Sequence, residues 1–194
     1  ENIEKSLPLS EYVSHSIRDI EYKIQKVKDN EEIINKILID LYGLNGSIDN
    51  NVDFKNITLR NREPIKEIKT LLSYFIGCLF GRYSLDKEGL IFAGGDFDIS
   101  NYNKFIPDCD NIIPVLNSET NYFQDDIIVR FEEFLRVTFG KDYLAENIDF
   151  IAATIGKRSN ESSKEAIRRY FANDFFGEHC SIYGNRPIYW LFTS

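Results

Sequence analysis

The sequence predicts a mainly α protein of the α+β class, with a helical domain, a protruding N-terminal helical arm and a few short strands. Two observations lead to this prediction. Apolar residues recur every three to four positions in several segments, which is the spacing of one face of an α-helix. Short apolar runs bounded by Gly, Asp or Pro lie between those segments and are typical of strands. We therefore expect residues 1–44 to form the arm or spacer and residues 45–194 the globular domain.

The first predicted helix begins near Ser10, whose hydroxyl can cap a helix N-terminus. Its apolar positions form a narrow stripe, typical of a helix that packs along one partner helix. These positions are Ile17, Ile20, Ile24 and Val27. A broader apolar set follows in the same period and predicts a buried end of the helix: Ile33, Ile34, Ile37, Leu38 and Leu41. Gly43 can take the left-handed conformation that ends a helix.

The second predicted helix is the central helix of the core. Residues 45–62 are rich in Asn, Asp and Ser and predict a loop, after which Pro64 occupies the first helical turn, where proline is tolerated. The apolar residues that follow cover more than one helical face: Ile65, Ile68, Leu71, Leu72, Phe75, Ile76 and Leu79. Gly81 is expected to end this helix. The glycine-rich and aromatic stretch 80–95 predicts a buried, packed turn.

Three further helices and three strands are predicted in the second half of the chain. Asp125 and Asp126 place negative charge where a helix N-terminus favours it, and Gly140 follows the apolar positions of that helix. The other two helices are expected at about residues 143–155 and 163–176. The short apolar runs at 90–93 and 112–116 are predicted to be strands or extended core segments, and 187–193 is predicted to be a strand.

Composition restricts the classes of function. The 194 residues carry a net charge of −8, so the overall field repels nucleic acid and anionic membranes, and any DNA contact requires a local basic patch. No apolar run is long enough to span a membrane, and the three cysteines are an odd number at wide spacing. We expect a soluble, cytoplasmic protein with no membrane partner. The absence of Met favours a piece of a longer protein.

Catalytic and metal-binding motifs are not found. The acidic pairs Asp96/Asp98 and Asp108/Asp110 have the first spacing of a calcium loop, but the later ligand positions do not match. Nucleophile-elbow and phosphate-loop patterns are also missing. The sequence therefore predicts no catalytic, cofactor-binding or metal-binding residue in this chain.

Five basic residues in the last third of the chain are the candidate site. They are Lys157, Arg158, Lys164, Arg168 and Arg169. Lys164 and Arg168 lie four residues apart on a predicted helix and could present one basic edge to DNA phosphates. The alternative is a solvated helix face with Glu161 and Glu165 as local partners, and the residues alone favour this alternative.

Four segments carry a resemblance to a known family. They are residues 35–44 (NKILIDLYGL), 76–95 (IGCLFGRYSLDKEGLIFAGG), 131–140 (FEEFLRVTFG) and 186–192 (RPIYWLF). In this order they resemble the region downstream of the catalytic domain in PglX-like adenine-specific DNA methyltransferases of BREX phage-resistance systems and of related restriction-modification enzymes. The resemblance extends over nearly the whole chain.

The resemblance implies a non-catalytic part of a larger enzyme. The family methylates adenine in double-stranded DNA with S-adenosylmethionine, using an Asn-Pro-Pro-Tyr motif and a glycine-rich cofactor loop, and neither is present here. Whether this chain itself counts as an enzyme therefore stays open. Two hypotheses follow. The chain helps to engage or position DNA, or it is a protein–protein assembly module that binds another domain or a subunit of the defence complex.

Overall fold

The computed structural model describes residues 7–116, 123–187 and 189, and it confirms the mainly α prediction. Over these residues the chain forms six α-helices: α1 Leu9–Leu41, α2 Pro64–Leu79, α3 Ile127–Phe139, α4 Leu144–Thr154, α5 Ser163–Arg169 and α6 Phe175–Ile182. A π-helical turn, Tyr170–Asp174, joins α5 to α6, and short 3-10 turns lie at Phe54–Asn56 and Ile99–Asn101. None of the helices within these ranges combines the length and apolarity that a membrane span needs.

The chain divides into two compact units. One consists of residues 11–64, and the described part of the other consists of residues 7–10, 65–116, 123–187 and 189. The domain boundary predicted after residue 44 stays a prediction, because packing within a folded chain does not test which part folds by itself.

The first unit is built around α1, which is a single helix of 33 residues. The helix ends as predicted at Gly43: the N–H of Gly43 donates to Asp40 and the N–H of Leu44 donates to Ile39. The loop then returns along the helix. A small apolar core forms between α1 and this loop from Ile24, Val52 and Ile57, with Ile20 and Val27 packed against it.

The end of α1 corrects one prediction. The broad apolar set expected to be buried is exposed: Ile33, Ile34, Ile37, Leu38 and Leu41. The reason is that the returning loop binds a different side of the helix. The side-chain amide of Asn50 donates to the carbonyl of Glu32, and the N–H of Val52 donates to the Glu32 carboxylate over 3.1 Å. Periodicity identified an apolar face but not whether a neighbour covers it.

The second unit is built around α2, which is the core helix as predicted. Phe75 lies at the centre of an aromatic cluster, with ring centroids 4.8 Å from Phe131, 5.3 Å from Phe134 and 5.9 Å from Phe171. Phe105, which lies in a loop and was not predicted to be in the core, is also fully buried and 6.3 Å from Phe75. Aromatic side chains from two α-helices, the π-helical turn and a loop therefore form one core.

The predicted packed turn at 80–95 is only partly confirmed. Gly81 has φ +67°, and the N–H of Arg82 closes the end of α2 by donating to Gly77 over 2.8 Å. The hydroxyl of Tyr102 donates to the carbonyl of Gly81, which fixes the turn against the following loop. From residue 87 onward, however, the segment is exposed apart from the half-buried Ile91 and Phe92, and 54% of Leu90 is accessible to solvent.

The predicted strands are not observed in the described residues. Segments 90–93 and 112–116 are irregular, and each is associated with an isolated backbone bond, such as Ile91 to Arg82 or Ile127 to Pro114. A strand requires a neighbouring strand to satisfy its alternate N–H and C=O groups, and here helices and loops provide the packing instead. The third prediction, 187–193, falls outside the described residues apart from residues 187 and 189.

Candidate nucleic-acid interface

The five candidate basic residues lie in and beside the connection between α4 and α5. Gly156 has φ +87°, which allows α4 to end sharply, and the N–H of Lys157 donates to the carbonyl of Ala152 over 2.9 Å. Helix α5 then begins with a capping box. Ser162 accepts from the N–H of Glu165, and the Glu165 carboxylate accepts from the N–H of Ser162. Both ends of the connection are therefore fixed by local hydrogen bonds.

Arg169 holds this connection closed. Its guanidinium donates to the Glu161 carboxylate, with distances of 3.0 Å from Nε and 2.7 Å from Nη2, and to the carbonyl of Gly156 over 3.0 Å. The N–H of Arg158 also donates to Glu161. The bond from Arg169, followed by the one from the Arg158 backbone, lowers the pKa of Glu161 to about 2. The charge of Arg169 is thus largely neutralised by its own loop.

Arg168 points into the protein. Its guanidinium binds the carboxylate of Asp126 at two points, 2.5 Å from Nη1 to Oδ2 and 2.9 Å from Nη2 to Oδ1. Arg168 is 7% exposed and Asp126 is fully buried. Two parallel hydrogen bonds between a guanidinium and a carboxylate are a strong, geometrically specific arrangement. This placement makes Arg168 part of the core rather than of the surface.

Lys157, Arg158 and Lys164 lie at the surface. The ammonium of Lys164 forms an ion pair with Glu132 of α3, and that of Lys157 donates to the hydroxyl of Ser163 over 3.0 Å. Within the described ranges the side chain of Arg158 forms no ion pair. Of the three, Arg158 is therefore the most available to a phosphate.

The structure thus separates the five residues into two groups. Lys157, Arg158 and Lys164 are exposed, although Lys164 also pairs with Glu132, whereas the side chains of Arg168 and Arg169 are largely buried against carboxylates of the protein. A signal for Arg168 was present in the sequence, since it precedes Phe171 by three residues and Phe175 by seven, which places it beside an apolar stripe. The contact of any of the five with DNA stays a prediction.

The described residues offer little for catalysis. No group of three or more His, Cys, Asp or Glu side chains able to hold a metal occurs in the described part of the chain. A cleft beside the stacked rings of Tyr74 and Tyr83 contains Asp86, but the N–H groups of Lys104 and Asn103 bind this carboxylate and lower its pKa. Asp86 therefore stays ionised and holds a loop, which makes it a poor proton acceptor.

An S-adenosylmethionine site is not supported by these residues. Dinucleotide and related nucleotide sites commonly place a glycine-rich turn between a β-strand and a helix. Residues 7–116, 123–187 and 189 contain no strand, and the glycines of the 80–95 segment lie in a turn that ends one helix and in an exposed loop. Within these ranges, therefore, no glycine-rich turn of that type joins a strand to a helix, and the absence of a cofactor site stays a prediction.

Comparison with known proteins identifies two relatives. The adenine-specific methyltransferase PglX of Lacticaseibacillus casei (strain Zhang) is 46% identical over 180 residues, which cover 91% of this chain and 15% of that protein. The adenine-specific methyltransferase BrxX of Escherichia coli O9:H4 (strain HS) is 36% identical over 207 aligned residues, which cover 100% of this chain and 16% of that protein. The chain thus spans about one sixth of the length of these relatives. No protein-family model matches it.

Proposed function

Because this chain is homologous, over nearly all its length, to a segment of the PglX-like adenine-specific methyltransferases, we propose that it is a non-catalytic part of such an enzyme. The whole enzyme would methylate adenine in double-stranded DNA with S-adenosylmethionine, in the bacterial cytoplasm, as part of a BREX-type phage-defence or restriction-modification system. This segment would help to engage or position the DNA. The observation that carries the proposal is the extent of the two alignments.

The outward-facing residues Lys157, Arg158 and Lys164 are the proposed phosphate contacts. Hydrogen bonds at both ends of the α4–α5 connection hold it in one shape, so the three cations are presented without a large ordering cost. Contacts with phosphate fix the register of a protein on the duplex but do not read its sequence. The proposed role is therefore positioning, and the recognition of the target site belongs elsewhere in the enzyme.

The net charge of −8 limits how strongly this segment binds DNA. Repulsion by the remaining surface opposes the three local cations, so binding by the isolated chain is expected to be weak, independent of sequence and sensitive to salt. In the whole enzyme, other DNA contacts would supply most of the affinity.

The test is a salt titration of duplex binding, measured by fluorescence anisotropy. Replacing Lys157, Arg158 and Lys164 together by Ala should reduce the log–log salt slope by up to about three units, since each phosphate contact contributes about one. A matched control removes three exposed lysines of α1 instead: Lys23, Lys26 and Lys36. Both triple variants change the net charge by the same amount. A reduction of the salt slope in the first variant alone therefore identifies a local contact between these residues and DNA phosphates.

The second candidate function is protein–protein assembly without DNA contact. It is favoured by the acidic balance of the chain and by the exposed apolar residues at the end of α1. If the chain shows no duplex binding even at low salt, or if both triple variants change the slope equally, the DNA-positioning proposal fails and the assembly function becomes the better one.

A further inference from the structure

We propose that the exposed apolar face of α1, formed by Ile33, Ile34, Ile37, Leu38 and Leu41, is the docking surface for an amphipathic helix from another part of the same polypeptide. We call these five residues the α1 stripe. The inference rests on the proposed function, since it requires that the chain belongs to a longer methyltransferase.

The α1 stripe has the geometry of a helix–helix seam. At 3.6 residues per turn its five side chains fall within about 140° of the helix circumference. All five are exposed, from 44% for Leu38 to 74% for Leu41. On the same helix, Ile24 is only 8% exposed. A soluble protein rarely leaves such a contiguous set of large aliphatic side chains in water unless the surface binds a partner.

The rest of its own unit does not cover the stripe. The returning loop instead binds the opposite side of the helix, through Glu32, Asn35 and the ammonium of Lys28. On a helical projection these three positions lie about 150° from the centre of the stripe. The loop is held there by hydrogen bonds to its backbone, so it cannot turn over to cover the apolar side without losing them.

Charge argues against a second copy of this chain as the occupant. Glu31 and Asp40 border the stripe on its two sides, each just beyond the apolar residues. A second copy would bring the same acidic residues to both sides of the seam. Like charges along a helical seam disfavour pairing, and two copies with a net charge of −8 also repel each other.

The relatives provide a more suitable source for the partner. This chain covers only 15% and 16% of their lengths, so most of such a polypeptide lies outside it. A helix within the same polypeptide is present at a high effective concentration and needs no separate association step. The chemistry of the stripe specifies that helix: an aliphatic seam bordered by Lys or Arg, which would pair with Glu31 and Asp40.

Thiol labelling of the whole polypeptide tests the proposal. Two single variants are compared, Ile37→Cys within the stripe and Lys36→Cys on the adjoining surface, and both side chains are exposed in this chain. Peptide mapping after brief maleimide treatment reads each site separately, with the exposed native Cys109 as the internal reference. We expect the cysteine at 37 to react at least tenfold more slowly than the cysteine at 36, at every protein concentration. Ile34→Cys should behave like Ile37→Cys.

Two results would overturn the docking proposal. Equal labelling at 36 and 37 would mean that nothing covers the stripe. Protection that disappears on dilution would identify a second copy or a separate subunit as the occupant. Methylation of adenine in duplex DNA is measured on the same preparations. A polypeptide that lacks it contradicts the proposed function, whereas an active polypeptide with an unprotected Ile37→Cys contradicts only the docking.

Discussion

Arg168 of α5 and Asp126 at the N-terminus of α3 form a buried, two-point ion pair. The two residues are 42 positions apart in sequence, and their pair joins the two helices. Asp126 also caps α3, because its Oδ1 accepts from the N–H of Ile128 over 2.9 Å. One carboxylate thus satisfies both a helix terminus and a buried cation. The pair explains why a residue that looked like a phosphate contact in the sequence has a structural position in the fold.

Loss of Arg168 should therefore strongly destabilise the protein. Arg168→Ala leaves the Asp126 carboxylate buried without its cation, and breaking a buried pair in this way costs about 3–5 kcal/mol. Urea unfolding followed by circular dichroism measures the change. The pair between the exposed Arg136 and Glu132 is the control, and Arg136→Ala should cost less than about 1 kcal/mol, because Glu132 keeps its ion pair with Lys164.

Coupling between the two residues provides a stricter check. In an Asp126→Asn background the N-cap of α3 is kept, since Asn is also a good N-cap residue, but the negative charge that binds Arg168 is lost. Arg168→Met should then cost less than it does in the wild-type protein. Equal costs in the two backgrounds would mean that the pair contributes no interaction energy.

Gly81→Val should lower stability by about 1–3 kcal/mol more than Gly46→Val, the range typical of overpacking. Both glycines have positive φ, +67° and +83°, so both substitutions carry a backbone penalty. Only at Gly81 would the new Cβ lie 2.9 Å from the ring of Phe97 and 3.3 Å from the hydroxyl of Tyr102, whereas nothing lies within 4 Å at Gly46. Melting temperatures of the two variants compare the sites directly, and equal losses would contradict tight packing around Gly81.

The Glu161–Arg169 pair should make stability depend on pH in acid. The bonds from Arg169 and from the Arg158 backbone lower the pKa of Glu161 from 4.5 to about 2. A lowered pKa in the folded state adds stability above pH 4.5, and this contribution is lost as the pH falls towards 2. Glu161→Gln should therefore show a shallower fall in melting temperature between pH 4.5 and 2. Glu88→Gln, at an exposed loop position, controls for the loss of one charge. If the melting temperature falls with pH in parallel for the wild type and Glu161→Gln, the Glu161–Arg169 pair does not cause the loss of stability in acid.

The chain by itself should not bind S-adenosylmethionine with useful affinity, because its described residues form no strand–turn–helix site. Isothermal titration calorimetry should detect no binding tighter than a dissociation constant of about 100 μM, roughly −5 kcal/mol. Tighter, saturable binding would show that a cofactor site exists in this segment and would change the proposed division of roles within the enzyme.

Most of the helical fold could be predicted from the sequence because its signals are local. The central helix α2 follows from Pro64 and from apolar residues on several faces, and α3 follows from its acidic start and Gly140. Burial required long-range information. The exposed end of α1 and the buried Phe105 depend on where loops return, which neither periodicity nor composition specifies. The strands predicted at 90–93 and 112–116 were wrong for the same reason, because short apolar runs pack equally well as loops.

The grouping of the five basic residues could be predicted from the sequence, but the orientation of their side chains could not. The sequence located all five basic residues in one segment, and the structure places them around one connection. The sequence could not show that Arg168 binds Asp126, which lies 42 positions earlier. Nor could it show that Arg169 binds Glu161 in the adjacent loop. Which carboxylate an arginine binds depends on the tertiary structure, and the spacing of residues along one helix carries no information about it.

The loop after the core helix is closed at its base. Asp86 accepts from the N–H groups of Asn103 and Lys104, and the hydroxyl of Ser84 donates to the carbonyl of Asn101. Residues 88–95 lie beyond these bonds and are largely exposed. Such a closed surface loop tolerates added sequence at its tip, because the bonds at its base hold both flanks in place. A peptide tag or a small fluorescent domain inserted between Gly94 and Gly95 should therefore leave the helical core intact, which provides an internal labelling position that does not use either chain terminus.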